Sequence, residues 1–371
     1  MPLVGMVSLD LQKAFDTVDH EIMVEKLKAM GIVSTDWFWS YLTGRQQLVT
    51  VGGEKSTFLE VSCGVPQGSI LGPLLFLLYV NDMHISVSCK LALYADDSAL
   101  IFSHTDVCLI RDTLSGDLEN CQQWLLDNKL SLHIGKTECM IFCSSRRSKD
   151  VKDFHVRCGE TIVNCVDSVS YPGVKLSGNM SGKAQAENVL KRCASRLSFL
   201  YRKASFLDFD TRKLLTSALI QPYLDYCSSS WYEGVPKLLK RKLDVLQRRM
   251  ARFVFSRGPM DHVDLSDLKI LAWLTVPDRV KYFKLVHVFR IRAGLAPSYL
   301  SHNFKPVSVV HNYRTRGYSH DYHVSKEMSL APTSFVFSAV SHWNALPGCL
   351  KGVQSLSLFK SRLKQHLLSA Y

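Results

Sequence analysis

The first half of the fold is decided by the stretch Leu91-Ala92-Leu93-Tyr94-Ala95-Asp96-Asp97-Ser98-Ala99-Leu100-Ile101-Phe102. Two short apolar segments flank only Ala95-Asp96-Asp97, and this spacing predicts two strands joined as a tight hairpin. The adjacent acids at its tip repel each other, and a fold that holds them beside a third acid usually has a divalent ion to offset the repulsion. An isolated Asp-Asp pair, however, is more typical of a solvated turn.

A third acid, Asp10, lies at or near the end of an apolar run. Residues Leu3–Leu11 predict a buried strand, and a lone carboxylate there is costly unless it is paired or bound to a cation. Oxygen ligands without Cys or His favour Mg²⁺ over zinc. Two such ions, about 4 Å apart, can activate a 3′-hydroxyl and stabilise a pyrophosphate leaving group.

The remaining patterns predict an α+β domain followed by a helical region. In the first half we expect a helix at about 20–30 with Gly31 as its C-cap, a hairpin around Gly52-Gly53, a helix from Ser69 to Asn81, a helix at 107–128 and a strand at Glu138–Cys143. This order gives an antiparallel sheet with helices packed on one face. Beyond about residue 185 we expect helices at 184–204, 211–231, 236–256, 264–274, 278–293 and 355–369, with an extended, polar segment at 305–330.

Charge is unevenly distributed along the 371 residues. The formal charge is +12, of which residues 1–185 contribute −5 and residues 186–371 contribute +17. This division suggests metal chemistry in the first half and polyanion binding in the second, although it could also be a solubilising surface. On the 236–256 helix the basic residues lie mostly off the apolar seam, as expected either of a core helix with a solvated back or of a helix that follows a phosphate backbone. These basic residues are Lys237, Lys240, Arg241, Arg248 and Arg249.

Composition argues against several classes of protein. A hydrophobic content of 47% excludes global disorder. The longest apolar run, Ile70–Val80, is too short to span a membrane and contains Pro73. The 11 cysteines form no C-x-x-C pair, so neither a disulfide framework nor a zinc site is expected. We therefore expect an intracellular protein, nuclear and cytoplasmic and not secreted, without a signal peptide.

Several motifs occur together in a specific order. They are Leu9-Asp10-Leu11-Gln12-Lys13-Ala14-Phe15-Asp16-Thr17-Val18-Asp19-His20, then Gly64-Val65-Pro66-Gln67-Gly68-Ser69-Ile70-Leu71-Gly72-Pro73, Tyr94-Ala95-Asp96-Asp97, the segment Trp124–Glu138, and Trp343-Asn344-Ala345-Leu346-Pro347. The set closely resembles the motifs of reverse transcriptases, and its wording is similar to that of non-LTR (LINE-type, jockey-like) retrotransposon polymerases. The resemblance is strong over residues 1–180 and weak beyond them.

The resemblance implies a role for each matched position. Asp10, Asp96 and Asp97 would hold two Mg²⁺ ions, with Mn²⁺ able to substitute, and the Leu11 carbonyl could be a further ligand. Phe15 would be an aromatic gate against a nucleotide 2′-hydroxyl, Gln67 and Gly68 would contact the incoming nucleotide, and Lys136 would protonate or screen the pyrophosphate. Tyr171 and Gly173 would belong to the primer grip. The simpler alternatives are core packing for Phe15, an ordinary turn residue for Gln67 and a solvated loop lysine for Lys136.

The resemblance also implies a domain arrangement and partners. Residues 1–182 would form a reverse transcriptase palm with most of the fingers missing, residues 183–304 a basic helical thumb-like region, and residues 305–371 a C-terminal extension with a terminal helix. The partners would be an RNA template, a DNA primer and dNTPs. RNA-templated RNA polymerases usually have Gly-Asp-Asp and a small or polar residue at the position of Phe15, so this aromatic ring favours deoxynucleotides.

Departures from the family pattern suggest a damaged copy. The chain starts close to Asp10, without the fingers or an endonuclease domain of a longer polyprotein, and His133 stands where relatives often have asparagine. The primer-grip segment reads Tyr171-Pro172-Gly173 rather than Tyr-Leu-Gly, and proline disfavours a central strand. We therefore expect a weak or inactive polymerase, and the alternative function is that of a truncated remnant that binds nucleic acid non-specifically.

Overall fold

The computed structural model describes residues 3–143, 147, 151, 153–310, 320–325 and 333–371. The chain divides into two units, Met1–Met180 and Ser181–Tyr371. The domain boundaries expected from the sequence, with their palm, thumb and extension, remain a prediction. In the part of the chain that is described, no helix is both long and apolar enough to cross a membrane.

The first unit contains twelve strands and four α-helices among its described residues. The strands are β1 (Leu3–Leu9), β2 (Gln46–Gln47), β3 (Thr50–Val51), β4 (Glu54–Lys55), β5 (Leu59–Glu60), β6 (Lys90–Tyr94), β7 (Asp97–His104), β8 (Glu138–Phe142), β9 (His155–Cys158), β10 (Thr161–Asn164), β11 (Ser168–Tyr171) and β12 (Val174–Ser177). The helices are α1 (His20–Ala29), α2 (Thr35–Leu42), α3 (Leu71–Val80) and α4 (Val107–Asp127).

The main sheet has four antiparallel strands in the order β6-β7-β1-β8. Successive side chains of a strand point to opposite faces, so the two faces of β1 have different neighbours. Leu3 and Val7 belong to the large core that includes residues of α1, α3 and α4. Met6 packs instead with Val169 of β11. Helices thus cover one face of the sheet, as expected, and the β11–β12 hairpin covers part of the other.

Most elements expected in this unit are present, with shifted ends. The 46–61 hairpin exists as two short pairs, β2 with β5 and β3 with β4. The expected strand over Leu3–Leu11 ends at Leu9, which leaves Asp10 just beyond it. The acidic hairpin is tighter than expected because Tyr94 pairs directly with Asp97. Asp97 is therefore the first residue of β7, and only two residues form the turn.

The expectation that Pro172 disrupts a strand was wrong. Tyr171 pairs with Val174, so Pro172 lies in the turn between β11 and β12 and not within a strand. Gly173 follows with φ of +72°, and proline followed by a residue with positive φ is typical of a type II turn. Proline therefore interrupts no ladder and is suited to this position.

The regular elements of the second unit are helices in its described residues, apart from an isolated antiparallel bridge between Pro306 and Tyr322. Its α-helices are α5 (Lys183–Tyr201), α6 (Phe209–Leu219), α7 (Gln221–Asp225), α8 (Ser228–Trp231), α9 (Lys237–Phe255), α10 (Leu265–Ile270), α11 (Val276–Arg292), α12 (Ser298–Ser301), α13 (Val307–Val310), α14 (Phe335–Asn344), α15 (Gly348–Lys351) and α16 (Leu356–Leu368). Trp343, Phe289 and Phe359 lie in one core, so α11, α14 and α16 pack together.

Two expectations for the second unit need correction. The helix predicted at 211–231 is divided into α6, α7 and α8, because Pro222 cannot donate to the preceding turn and Cys227 has a left-handed φ of +49°. Within the segment predicted to be extended over 305–330, Val307–Val310 form a short helix instead. Pro306, however, pairs with Tyr322 in an isolated antiparallel bridge, and the described residues 320–325 contain no helix. Residues 311–319 and 326–330 of that segment lie outside the described residues.

A buried ion pair joins α11 to the loop before α9. The ammonium of Lys284, which has no exposed surface, lies 2.7 Å from a carboxylate oxygen of Glu233 and 2.7 Å from Ser338 Oγ. Burial lowers the pKa of Lys284 more than the pair raises it. Burial raises the pKa of Glu233, but the hydrogen bond and charge of Lys284, with the charge of Lys240, outweigh it and hold that pKa below its ordinary value.

Gly5 allows close contact between the sheet and α4. A Cβ at this position would lie 2.5 Å from Ile110 Cγ2 and 2.6 Å from Leu114 Cδ1. We predict that Gly5→Ala destabilises the protein by about 1–3 kcal/mol through overpacking. Gly116→Ala on α4 is the matched control, since nothing lies within 4 Å of its Cβ, and it should stabilise by about 0.5–1 kcal/mol. Melting temperatures from circular dichroism measure both, and equal shifts in the same direction would contradict the packing argument.

Replacing Lys284 should change both stability and its pH dependence. We predict that Lys284→Met costs about 2–3 kcal/mol, less than for a fully buried pair because Glu233 is partly exposed. A carboxylate with a lowered folded-state pKa stabilises above its unfolded pKa, and this contribution is lost as the pH falls through the folded pKa. Thermal melts from neutral pH to below the ordinary glutamate pKa of about 4.3 should therefore show an acid-side loss of stability that is smaller in the variant.

Lys240→Met provides the graded control for this experiment. Lys240 is 3.6 Å from Glu233 and partly exposed, so its removal should cost less and should reduce the acid-side slope less. A Lys284→Met protein with unchanged stability and an unchanged acid limb would show that the pair contributes nothing.

Candidate active site

Strand register brings two of the three predicted acids together. In the β1–β7 pairing Leu9 lies opposite Ser98 and Ser8 opposite Ala99. Continuing this register by one residue places Asp10 opposite Asp97. Asp96 occupies the adjoining turn after Ala95, whose φ is +54°. The three acids therefore meet at one end of the sheet, on the side of the hairpin tip.

The charges of these acids act on one another. Burial, followed by the charges of Asp96 and Asp10, raises the pKa of Asp97 above its ordinary value. Burial and the charge of Asp97 also raise the pKa of Tyr171, which places this tyrosine beside the acids. Like charges held together in this way are stabilised by any cation that binds between them.

A lysine loop is fixed against Asp10. The ammonium of Lys136 lies 3.7 Å from an Asp10 carboxylate oxygen, with both side chains substantially exposed. The His133 amide donates to the Asp10 carbonyl at 2.8 Å, and Leu132 forms an isolated antiparallel bridge with Leu11. Because His133 contacts Asp10 through its backbone, the histidine at a position where asparagine is frequent does not affect this contact.

The donor set fits a hard divalent ion in its chemistry but is not closed around one. The predicted ligands are carboxylate oxygens, which Mg²⁺ and Mn²⁺ prefer. Within the described residues, however, no three His, Cys, Asp or Glu side chains are close enough together to hold a metal ion as they stand. Burial, followed by the charges of Asp96 and Asp10, raises the pKa of Asp97, so the acids interact electrostatically without forming a ligand set.

Phe15 and the Gly64–Pro73 segment form a second part of the site. The ring of Phe15 is half-buried, with its centroid 4.5 Å from that of Phe76 on α3. Core packing and a gate role are both compatible with a ring that packs on Phe76 and is only half-buried. Gln67 and Gly68 are exposed in the turn before α3, and Gly68 has φ of +80° with no atom within 4 Å of a Cβ.

Ser69 supports this turn much as the sequence suggests. The helix begins at Leu71 and not at Ser69. The hydroxyl of Ser69 nevertheless accepts a hydrogen bond from the Gly72 amide at 2.9 Å, which satisfies one of the amides left open at a helix start.

The predicted phosphate-binding residues lie on α9 in the second unit. The buried side of this helix contains Leu239, Leu243, Leu246, Met250 and Phe253, so the predicted apolar seam is confirmed. Lys237, Arg241, Arg248 and Arg249 are exposed. Lys240 differs from them, since it is partly buried, pairs with Glu233 and lies 4.6 Å from the centre of the Tyr232 ring.

Two features of the site were missed by sequence reasoning. Asp16 accepts a hydrogen bond from the Gln67 side chain at 2.6 Å, and Lys129 pairs with Asp19 at 2.6 Å. Both acids belong to the quoted motif around Asp10, but they had no assigned role. The available signal was that Asp16 and Asp19 adjoin Phe15 and His20 in the motif. Their partners, Gln67 and Lys129, are distant in sequence, so these contacts become visible only in the fold.

Comparisons with known proteins agree with the motifs. Residues 4–176 match the family model described as reverse transcriptase (RNA-dependent DNA polymerase). The RNA-directed DNA polymerase from mobile element jockey of Drosophila funebris is 26% identical over 262 residues, which cover 67% of this chain and 28% of that protein. The probable RNA-directed DNA polymerase from transposon BS of Drosophila melanogaster is 25% identical over 288 residues, which cover 70% of this chain and 30% of that protein.

The chain thus spans less than a third of the length of these two relatives. Among solved structures, a telomerase from Candida tropicalis, in complex with a fragment of telomeric RNA, aligns over 73% of this chain and 46% of its own with 13% identity and a TM-score of 0.36. Residues 4–176 thus match the reverse transcriptase family, and about two thirds of the chain is similar to the RNA-directed DNA polymerases of these mobile elements.

Proposed function

We propose that residues of this chain form a nucleotidyl-transfer centre, which adds dNTPs to the 3′-hydroxyl of a DNA primer on an RNA template; that the isolated chain is a weak or inactive polymerase stays a prediction. The observation that supports the proposal most directly is the convergence of Asp10, Asp96 and Asp97 at one end of the sheet, where burial, followed by the charges of Asp96 and Asp10, raises the pKa of Asp97. Acids that serve only as solvated surface groups gain nothing from such proximity.

The acids would serve as metal ligands. When bound, two Mg²⁺ ions, or Mn²⁺ in their place, supply activation of the 3′-hydroxyl and charge compensation for the leaving pyrophosphate. Asp10, Asp96 and Asp97, with the Leu11 carbonyl, are the residues that would hold them. The β1–β7 register, continued by one residue beyond Leu9 and Ser98, places the backbone of Asp10 opposite that of Asp97, which supports a shared ion between their carboxylates.

Lys136 would act on the leaving group. Its ammonium is exposed and already lies 3.7 Å from Asp10, so it can offer positive charge to a pyrophosphate, or a proton to it. The loop that bears it is held by two backbone contacts, from His133 to Asp10 and from Gln12 to Ser131. This tether keeps the ammonium near the acids while the side chain stays free to move.

The nucleotide and the primer would bind on opposite sides of the acids. Phe15, Gln67 and Gly68 would receive the incoming nucleotide, and the ring of Phe15 would exclude a 2′-hydroxyl by sterics. Tyr171 and Gly173, in the β11–β12 hairpin, would contact the primer. Two observations support this placement. Burial and the charge of Asp97 raise the pKa of Tyr171, and Pro172 lies in the turn between two paired strands, where it interrupts neither.

The second unit would bind nucleic acid through phosphate contacts. Lys237, Arg241, Arg248 and Arg249 are exposed on one helix within residues 186–371, whose net charge is +17, and such charge is suited to phosphates rather than to base edges. Lys240 would contribute less, because Glu233 already neutralises it. Template, primer and product are all nucleic acids, and we therefore extend the proposal to a nuclear and cytoplasmic location. We also propose that the chain cooperates with further segments of a longer polyprotein.

Primer extension on an RNA template with Mg²⁺ tests the acid triad. We predict that Asp96→Ala and Asp97→Ala each lower the extension rate of the full chain by about 10³-fold or more, because charge stabilisation at the reacting centre is lost. Asp112→Ala is the matched control, since Asp112 is an exposed acid of the same unit that pairs with its neighbour Arg111, and it should extend normally.

Other outcomes of this assay would contradict the proposal. Extension that persists in both triad variants would place the chemistry elsewhere. A wild-type chain that is folded and binds primer–template but never extends it, with either metal, would instead indicate the non-enzymatic nucleic-acid-binding alternative.

Sugar discrimination tests Phe15. We predict that Phe15→Val raises the use of ribonucleotides relative to deoxynucleotides by about tenfold or more, because the smaller side chain no longer meets the 2′-hydroxyl. The ratio of kcat/KM for a matched rNTP and dNTP measures the effect. Phe76→Leu loosens the same ring contact from the buried side and should leave this ratio unchanged, whereas an equal change in both variants would assign Phe15 to core packing alone.

A further inference from the structure

We propose that Asp16 is a positioning residue that fixes the side-chain amide of Gln67 for nucleotide binding; this inference rests on the proposed function. The contact is direct, because Gln67 Nε2 donates to Asp16 Oδ1 at 2.6 Å although the two residues are 51 positions apart. Both side chains are exposed, so neither is held by burial. Each therefore depends on the other for its orientation.

The backbone on both sides of this contact is already fixed. The Val65 amide donates to the Phe15 carbonyl at 2.8 Å, and the Gly64 amide donates to the Val18 carbonyl at 2.7 Å. Gly64 has φ of +90°, and a Cβ on it would lie 2.8 Å from the Asp16 carbonyl oxygen. The 63–65 segment thus lies directly on the 15–18 segment, at a distance that only glycine permits.

The mobility that remains belongs to the Gln67 side chain. It extends from an exposed turn whose next residue, Gly68, has φ of +80° and open space around it. An exposed glutamine has several rotamers of similar energy, and holding one of them costs side-chain entropy. The hydrogen bond from Asp16 offsets part of this cost before a nucleotide arrives, which is the ordinary benefit of preorganisation.

The carboxylate also decides which way the amide points. An ionised aspartate only accepts hydrogen bonds, whereas a glutamine amide has a donor end and an acceptor end. With its NH₂ group directed to Asp16, the amide leaves its carbonyl oxygen as the end available to a ligand. Asp16 thereby presents an acceptor oxygen to a hydrogen-bond donor on the nucleotide.

This arrangement couples the two nucleotide contacts. Phe15 and Asp16 are consecutive, and the ring of Phe15 is held by Phe76 on the helix that follows Gln67. A change in the position of Asp16 therefore reaches both the gate and the amide. Asp16 is not itself placed at the reacting atoms, since the acids that meet there are Asp10, Asp96 and Asp97.

Steady-state primer extension with the full chain tests the assignment. We expect Asp16→Ala to raise KM for the dNTP about fivefold while kcat changes less than about twofold, because one charge-assisted hydrogen bond outside the reacting centre is lost. Asp16→Asn retains an acceptor oxygen but no longer forces one amide orientation, so it should restore part of the KM. Asp127→Ala is the matched control, because it removes a similar exposed hydrogen bond, from Gln123 Nε2 at 2.8 Å, and should leave KM unchanged.

A double-mutant cycle separates positioning from an independent effect. If Asp16 acts through Gln67, Asp16→Ala should add nothing to the KM of Gln67→Ala, because residues that act as a unit are not additive. Additive effects, or an Asp16→Ala protein with wild-type KM, would overturn the inference. A variant with a lower kcat, a raised KM and a lower melting temperature would show that Asp16 has only a structural role. That result would overturn the inference as well.

Equilibrium binding distinguishes this failure from failure of the proposed function. The probe is a dNTP added with Mg²⁺ to the protein on an RNA template annealed to a dideoxy-terminated primer, a complex in which no chemistry occurs. We expect the dissociation constant of the Asp16→Ala complex for the dNTP to be about fivefold larger than that of the wild type. Wild-type binding that the variant retains in full would overturn only the role of Asp16, whereas a wild-type chain that neither binds nor extends would overturn both proposals.

Discussion

The pairing register between β1 and β7 is the constraint on which the candidate site depends. It sets Leu9 against Ser98 and so directs Asp10 toward Asp97. Side chains alternate between the faces of a strand, so a slip of one residue would move every apolar side chain of β1 to the wrong face. Leu3 and Val7 are almost fully buried on one face and Met6 on the other, and this burial excludes such a slip. Core packing thus determines where the acids meet.

The sequence predicts those elements whose signal is local. The apolar periodicity of α4 and α9, and the continuous apolar run of β1, are sufficient to place them within a few residues. The signal fails where a distant partner decides the outcome. The strands β9–β12 are short, and their pairing depends on hairpin turns; Pro172 reads as a defect in a strand until the pairing of Tyr171 with Val174 shows a turn. The division of the 211–231 helix depends on Pro222, which the sequence shows, and also on Cys227, whose left-handed backbone no composition rule predicts.

The candidate site shows the same division between local and long-range information. Motif order alone suggests roles for the three acids, for Phe15 and for the Gln67 turn, since each motif is contiguous in sequence. The contacts between motifs were not predictable, because they join residues far apart in the chain. Lys136 reaches Asp10 because Leu132 pairs with Leu11, and Gln67 reaches Asp16 because the 63–65 segment lies on the 15–18 segment. A motif therefore supplies the chemistry of each residue, and the fold supplies its neighbours.

Electrostatics explains why an acidic centre and a basic region belong to one chain. Residues 1–185 have a net charge of −5. The acids at the sheet edge make the local potential still more negative, and together with burial they raise the pKa of Asp97. Such a region repels nucleic acid, whose backbone is a dense line of negative charge. Divalent ions can neutralise the acids locally. Salt screens the field of such ions beyond the Debye length, which is about 8 Å at physiological ionic strength. Attraction for a long polyanion would then come from fixed positive charge elsewhere, and residues 186–371 have a net charge of +17. Lys136, whose ammonium lies 3.7 Å from Asp10, is one cation that does lie beside the acids.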